Sequence, residues 1–453
     1  MQDWKYALDQ TIHIAQHFLS EEEKVPVLPY QSPSEASQSL PLRLEEKGLS
    51  EAEFFACLEA LVMQTPKTAS TGFFNQLWGG RNLAATAGEI LAAILNSSMY
   101  TYKVAGPQVL VEMEVVRKML EKVGFSEGEG AFAPGGSMAN FTAMLVARNE
   151  FQPELRQKGF AGPTLIAYTS VEGHYSTTKN AGMLGLGREN VRLVPVDGLG
   201  KMRPEALATM IEEDRRAGHR PFFVNATAGT TVLGMYDPFE ALAQVCCPQG
   251  IWLHIDGAFG GSALLSRQYR HLLKGCEQAD SFAWNAHKMM GVPLTASVVL
   301  FQQKGMLRKH LSEKAEYLYQ GEDDYNPGEY SLQCGRRNDA LKVWAAWKYY
   351  GDEGYEARVN RQFALSQYAA RQVEADPALE LVQAPECLNV CFAVKGHSAK
   401  ELCRELDEAG LLKVGYGRFG KREFIRMVCI DPDLEENDLD QFFVLVRRVA
   451  ALA

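Results

Sequence analysis

Four short segments carry residue types that could do chemistry. In Trp284-Asn285-Ala286-His287-Lys288-Met289-Met290-Gly291 a lysine follows an apolar run and is preceded by His. A desolvated lysine has a lowered pKa and attacks an aldehyde to form a Schiff base. In His254-Ile255-Asp256-Gly257-Ala258-Phe259 an aspartate closes another apolar run before small residues. A carboxylate there can pair with a protonated pyridine nitrogen and turn that ring into an electron sink. In Pro134-Gly135-Gly136-Ser137-Met138-Ala139-Asn140 glycines and a serine open a helix, where backbone N–H groups and a hydroxyl suit a phosphate. In Ser170-Val171-Glu172-Gly173-His174-Tyr175-Ser176 an imidazole at a strand-to-helix junction could stack on an aromatic ring. Taken singly, each segment also fits an ordinary role: a surface lysine, a capping Asp, a helix cap, a structural His.

These segments need a frame. Apolar runs at 164–169, 191–196, 222–225, 251–255, 281–284 and 297–301 read as strands, several separated by helical segments such as 204–217 and 238–245. Strands alternating with helices imply an α/β fold with a mostly parallel sheet covered on both faces. Ligands then gather at the carboxyl ends of the strands, where the four segments lie. An amphipathic helix over 108–123 (Leu110, Met113, Val116, Met119, Leu120) closes at Gly124. Residues 1–30 read as a helix ending near Pro26, and 31–50 as a linker. After about residue 340 a long helical region precedes short strands at 390–394 and 424–430 and helices at 399–409 and 435–451. The expected division is a helical arm over 1–65, a large domain over 66–340 and a smaller α+β domain over 341–453.

Composition narrows the function. The 453 residues carry 46 Lys+Arg and 56 Asp+Glu, a net charge of −10, which argues against nucleic acid or an anionic membrane as the main partner. No run of about 18 apolar residues exists to span a bilayer. The nine cysteines are scattered, without a CxxC pair, which fits a reducing compartment and makes the cytoplasm the expected location. A chain of this length can bury a core without metal or disulfide staples.

The joint occurrence and order of the four segments, with Lys288 lying 32 residues after Asp256, resemble the group II amino-acid decarboxylases that depend on pyridoxal phosphate. Within them the chain is similar to the glutamate, cysteine-sulfinate and aspartate decarboxylase branch. Phe73-Phe74-Asn75-Gln76-Leu77, Asn225-Ala226-Thr227-Ala228-Gly229-Thr230-Thr231, Gln333-Cys334-Gly335-Arg336 and Phe424-Ile425-Arg426-Met427-Val428 carry the likeness from Phe73 to the C-terminus. The resemblance implies a fold type I enzyme with a seven-stranded sheet and a homodimer with its active sites at the subunit interface. It implies that Lys288 binds the cofactor, that Asp256 partners the pyridine nitrogen and that His174 stacks on the ring. Ala258 and Thr227 then lie beside the ring, and Gly136, Ser137, Asn285 and His287 surround the phosphate. Gly335 matches a glycine that reaches the phosphate from the other subunit, and Tyr317 the loop tyrosine that reprotonates the substrate carbon. The sequence departs from the family pattern at Ala286, where proline is usual, and in a shorter segment after Tyr317.

Arg426 matches an arginine that binds a substrate carboxylate, and its planar fork suits a carboxylate or sulfinate. Gln76 is a second polar contact. Trp78 stands where glutamate decarboxylases tend to carry a small residue, and Ser98 with Tyr100 resembles the cysteine-sulfinate and aspartate enzymes. The expected substrate is an acid of aspartate length (aspartate, cysteine sulfinate or cysteate), with glutamate as the alternative and transamination as a further one.

Overall fold

The computed structural model describes residues 3–25, 27–160, 162–313, 319 and 325–452. Its centre is a seven-stranded sheet of β1 (Glu129–Ala133), β2 (Leu165–Ser170), β3 (Val191–Val194), β4 (Arg220–Thr227), β5 (Trp252–Gly257), β6 (Ser281–Asn285) and β7 (Ser297–Phe301). The spatial order is β1-β7-β6-β5-β4-β2-β3. All pairs are parallel except those of β7, which runs antiparallel to both β1 and β6. The mostly parallel sheet expected from the apolar runs is therefore present.

Its strands are apolar on both sides because both sides are covered. Along β2, Ile166 and Tyr168 enter one core while Leu165 and Ala167 enter another, the two-residue alternation of a pleated strand. Helix Gly136–Phe151 covers one face through Ala139, Ala143, Met144, Val146 and Ala147. Helices Gln108–Val123, Pro204–Arg216 and Phe239–Cys246 cover the other. The helix over 108–123 ends at Gly124 in the left-handed region, as its sequence implies. Of its expected apolar stripe Val116, Met119 and Leu120 are buried in the core, whereas Leu110 and Met113 are exposed, and Val115 and Val123 are buried beside the three.

Strand β1 is not foreshadowed by an apolar run. Glu-Gly-Ala-Phe-Ala has weak strand propensity. Gly130 is there because helix 108–123 and β7 press on it: a Cβ would meet a Leu300 methyl at 2.7 Å and a Val116 methyl at 3.0 Å.

A second sheet, fully antiparallel, has the order β10 (Gly415–Phe419), β11 (Arg422–Val428), β9 (Asn389–Val394), β8 (Leu379–Leu381). Helices Ala399–Glu408 and Glu436–Ala450 pack on it through Leu402, Leu406, Leu439, Phe442 and Val446. The helical stretch Ala340–Ala375 joins the two halves and breaks at Gly351, whose φ is +62°. Up to Phe363 its buried residues join the core of the large sheet, and from Leu365 they join that of the small sheet.

At the N-terminus, helix Trp4–Lys24 lies against Glu51–Met63, with Tyr6 and Phe55 in edge contact at 5.8 Å. The expected linker contains a helix, Pro33–Ser39, opened by a Ser32/Glu35 capping box. Among the described residues no helix is long and apolar enough to cross a membrane, and no cluster of three or more His, Cys, Asp or Glu side chains could hold a metal. All nine cysteines are free.

Candidate active site

The carboxyl ends of β4, β5 and β6 open into a cavity of about 200 Å³. Its lining includes Gly136, Ser137, His174, Thr227, Asp256, Ala258, Asn285, His287 and Lys288, residues expected from sequence to share one site. Asn140, Tyr175, Gly229, Thr231 and Phe259 complete the wall.

Lys288 sits in the loop that reverses the chain between the antiparallel strands β6 and β7. Ala286 N–H bonds to Ala296 C=O at 2.8 Å, and Gly291, at φ +67°, turns its N–H back to the Lys288 carbonyl at 2.9 Å. Burial pushes the Lys288 amine below its ordinary pKa, with Asp256 opposing. His287 beside it is buried, and its Nδ1 accepts from Ala296 N–H at 3.0 Å. Burial, then the Lys288 charge, lowers its pKa to about 4.

Asp256 Oδ1 accepts from Ala258 N–H at 3.1 Å and Oδ2 from the Asn140 amide at 2.7 Å. His174 Nδ1 accepts from Ser176 N–H at 3.2 Å. Burial holds the His174 pKa below its ordinary value, against the pull of Asp256. The turn that opens helix 136–151 depends on two glycines. Gly135 has φ +95°, and a Cβ on Gly136 would meet Asn285 Nδ2 at 2.6 Å.

The expected substrate residues fall in two other places. Arg426, on β11, reaches back to the large domain. Its Nη1 donates to the Thr231 carbonyl at 3.0 Å and its Nη2 to the Asn75 carbonyl at 2.6 Å, while Nε is buried without a partner. Thr231 also lines the cavity, so the guanidinium stands at its edge. Gln76 is exposed, and Trp78 packs its ring 5.8 Å from Phe73. Neither lines the cavity.

Ser98, Tyr100 and Gly335 form a separate group outside it. Ser98 Oγ accepts from Arg336 N–H at 3.3 Å, Met99 N–H bonds to the Arg336 carbonyl at 3.1 Å, and Gly328 N–H to the Tyr100 carbonyl at 2.9 Å. A buried Arg336–Glu112 pair anchors this group. Tyr317 lies outside the described residues.

Sequence reasoning missed Asn140 and His254 as site-forming residues. Their signals are present in the chain: Asn140 lies one turn past Gly136, and His254 is two residues before Asp256, hence on the same face of β5. It also missed Asp237, whose carboxylate accepts from Thr227 N–H at 2.7 Å.

Pyridoxal phosphate can be tested against this cavity by its unsatisfied groups. Thr227 Oγ1 and Asn285 Oδ1 are buried without partners. The Gly135–Gly136 turn keeps a space at a helix N-terminus that a side chain would fill. A carboxylate and a desolvated amine face the same space. These features suit a group with an anionic phosphate, polar ring substituents, a basic ring nitrogen and an aldehyde.

Known proteins agree. Residues 33–395 match the pyridoxal-dependent decarboxylase conserved domain. The mouse acidic amino acid decarboxylase GADL1 is 41% identical over 438 residues, spanning 91% of this chain and 80% of that protein. The rat cysteine sulfinic acid decarboxylase is 40% identical over 438 residues, 91% of this chain and 89% of its own. The crystal structure of mouse CSAD superposes with a TM-score of 0.92 at 36% identity, covering 98% of this chain and 99% of that one. A rice TDC structure with PLP and tryptamine, at 23% identity and a TM-score of 0.90, shares the fold. The match over four fifths of the chain, together with a cavity suited to the cofactor, places this chain in the pyridoxal-dependent decarboxylase family.

Proposed function

We propose that the chain removes the α-carboxyl group of an acidic L-amino acid of aspartate length: aspartate, cysteine sulfinate or cysteate, giving β-alanine, hypotaurine or taurine. The observation that carries the acidic preference is Arg426. Among the described residues its guanidinium meets main-chain carbonyls and no carboxylate, and Nε is buried and unpartnered. Burial accordingly lowers its pKa from the ordinary value. A buried cation without a counter-ion is costly, and a substrate carboxylate or sulfinate supplies one. The names of the mouse and rat relatives support the same class.

When bound, pyridoxal phosphate supplies the electron sink that takes up the pair left by departing CO2. Lys288 holds the cofactor through its amine, kept reactive by desolvation. Asp256 would hold a proton at the ring nitrogen, and His174, Ala258 and Thr227 would lie against the ring. Gly136, Ser137, Asn285 and His287 take the phosphate at the start of helix 136–151. Tyr317 returns a proton to the α-carbon once CO2 has left. The cavity wall includes neither Gln76, expected as a second polar contact, nor Trp78, expected to limit side-chain length, so the length preference stands on the substitution test at Trp78.

Gly335, Ser98 and Tyr100 stand apart from this chain's cavity but are bonded to one another's segments. That grouping supports a homodimer in which all three serve the site of a second copy. Mixing the inactive variants Lys288→Ala and Gly335→Arg should then restore turnover, because one site of a mixed dimer carries neither change. The cytoplasmic setting belongs to the same proposal and is supported by the nine free cysteines.

The test of the substrate class is CO2 release from aspartate, cysteine sulfinate, cysteate, glutamate and an aromatic amino acid, ranked by kcat/KM. Preference for an aromatic or neutral amino acid would overturn the role of Arg426. Preference for glutamate would keep the acidic class and remove the length argument.

A further inference from the structure

Behind Asp256 runs a row of side chains that reaches the cavity only through Asn140 and Asp256. Trp252 Nε1 lies 2.8 Å from Ser281 Oγ, which lies 2.8 Å from His254 Nδ1. His254 Nε2 lies 3.0 Å from Asn140 Oδ1, and Asn140 Nδ2 lies 2.7 Å from Asp256 Oδ2 and 3.1 Å from Ser176 Oγ. His254 and Ser281 are wholly buried, and Phe223 stacks over the imidazole at 5.8 Å.

An indole N–H can only donate, and a carboxylate can only accept. Asn140 therefore turns its NH2 toward Asp256 and its carbonyl oxygen toward His254, whose Nε2 must carry a proton and donate to it. With the imidazole neutral, Nδ1 accepts, and Ser281 Oγ takes the Trp252 N–H and sends its own proton to His254. Burial supports the neutral form, pushing the His254 pKa down to about 4.

We propose that Asn140, His254 and Ser281 are positioning residues that hold Asp256 as a charged acceptor facing the cofactor's ring nitrogen. The inference rests on Asp256 being the partner of that nitrogen. Bonds chained in one direction polarise one another, and each proton in the row points toward the carboxylate. Ala258 N–H on Oδ1 and Asn140 on Oδ2 fix the orientation of the carboxylate in the cavity wall. Breaking the row at His254 frees the Asn140 amide to turn its oxygen toward Asp256. That would take a donor from the carboxylate and weaken its hold on the ring nitrogen.

The experiment compares two probes on the full chain: pyridoxal phosphate, and the same aldehyde phosphate with its ring nitrogen replaced by C–H. Dissociation constants come from absorbance titration after the protein's own cofactor is removed. Wild type should bind pyridoxal phosphate more tightly than the analogue, and Asp256→Asn should abolish that preference. His254→Phe and Asn140→Leu should each reduce the preference by about tenfold, the size of one lost hydrogen bond to a charged group, while analogue binding changes little. Trp252→Phe, at the far and half-buried end, should reduce it less and serves if the buried variants do not fold. Equal weakening of both probes in His254→Phe, or an unchanged preference in Trp252→Phe and Asn140→Leu, would overturn the positioning role. Absence of any preference in wild type would instead overturn the reading of Asp256.

Discussion

The end of the large sheet and the edge of the small sheet hold their charged groups in different ways. At the large sheet Asp256 is fixed by Asn140 and Ala258 N–H, and behind Asn140 stand His254, Ser281 and Trp252. Each polar side-chain atom in that row has a partner. At the small sheet Arg426 hangs from two main-chain carbonyls contributed by other segments and leaves Nε unpaired. One region is a closed network that tolerates little change. The other is a single cation whose partner, on the proposed function, arrives with the substrate. On that reading, reaction chemistry is built into a rigid frame, and substrate choice depends on few side chains with looser support.

The largest effect expected from breaking this contrast is at Lys288. Lys288→Ala should give no detectable CO2 release from any amino acid. Borohydride reduction of wild type should fix the cofactor on the peptide that contains Lys288, and label on another lysine would remove Lys288 from the site.

Arg426→Lys comes next. A point charge does not replace a planar fork, so kcat/KM for acidic substrates should fall by about 2 kcal/mol or more, roughly thirtyfold. Cofactor binding should stay near wild type. Loss of cofactor affinity instead would show that the two regions are not separable.

Trp78→Ser should shift specificity modestly. Room for one methylene is worth about 1–3 kcal/mol, so the glutamate to cysteine sulfinate ratio of kcat/KM should rise by about tenfold. Trp78 leans on Phe73 rather than lining the cavity, so an unmoved ratio would make it a packing residue.

The smallest effect concerns pH. Native His254 and His287 hold off their protons until about pH 4, whereas the unfolded chain takes them up near the ordinary histidine range. Each therefore removes stability as pH falls from about 6.5 toward 4, at about 1.4 kcal/mol per pH unit. Asp237, Asp280 and Asp431 act in the opposite sense, since burial raises each to about 6 and the native state protonates first as pH falls. The clean measurement is a difference: between pH 6.5 and 4.5 His254→Gln should lose stability to urea less steeply than wild type. Parallel slopes would mean that His254 is not held neutral.

Much of the frame is legible in the order of the residues. The runs that form β2, β4, β5, β6 and β7 are continuous, because strands covered on both faces leave no polar side to confuse the pattern. β1 is not legible in this way: its sequence is small residues, and only the helix and strand pressing on Gly130 explain them. β8 and β10 escape for similar reasons, being a three-residue edge strand and a hairpin arm with two glycines and mixed burial. In the site, Lys288, Asp256 and His174 are legible because their motifs sit at strand ends in a recognisable order. Asn140 and His254 stand inside the same motifs and are not, since a buried amide and imidazole take on meaning only once their partners on other strands are known.

The sequence by itself determined the strand runs, the helix limit set by Gly124, and the chemical types present at each strand end. Those depend on local periodicity, backbone propensity and side-chain chemistry. Tertiary structure alone decided that Arg426 of the small sheet meets Thr231 at the edge of the cavity, and that Trp252, Ser281, His254 and Asn140 line up behind Asp256. It alone separated Ser98, Tyr100 and Gly335 from that cavity. Each is a meeting of residues far apart in the chain, which local propensity cannot encode and only the packing of two sheets and their helices brings about.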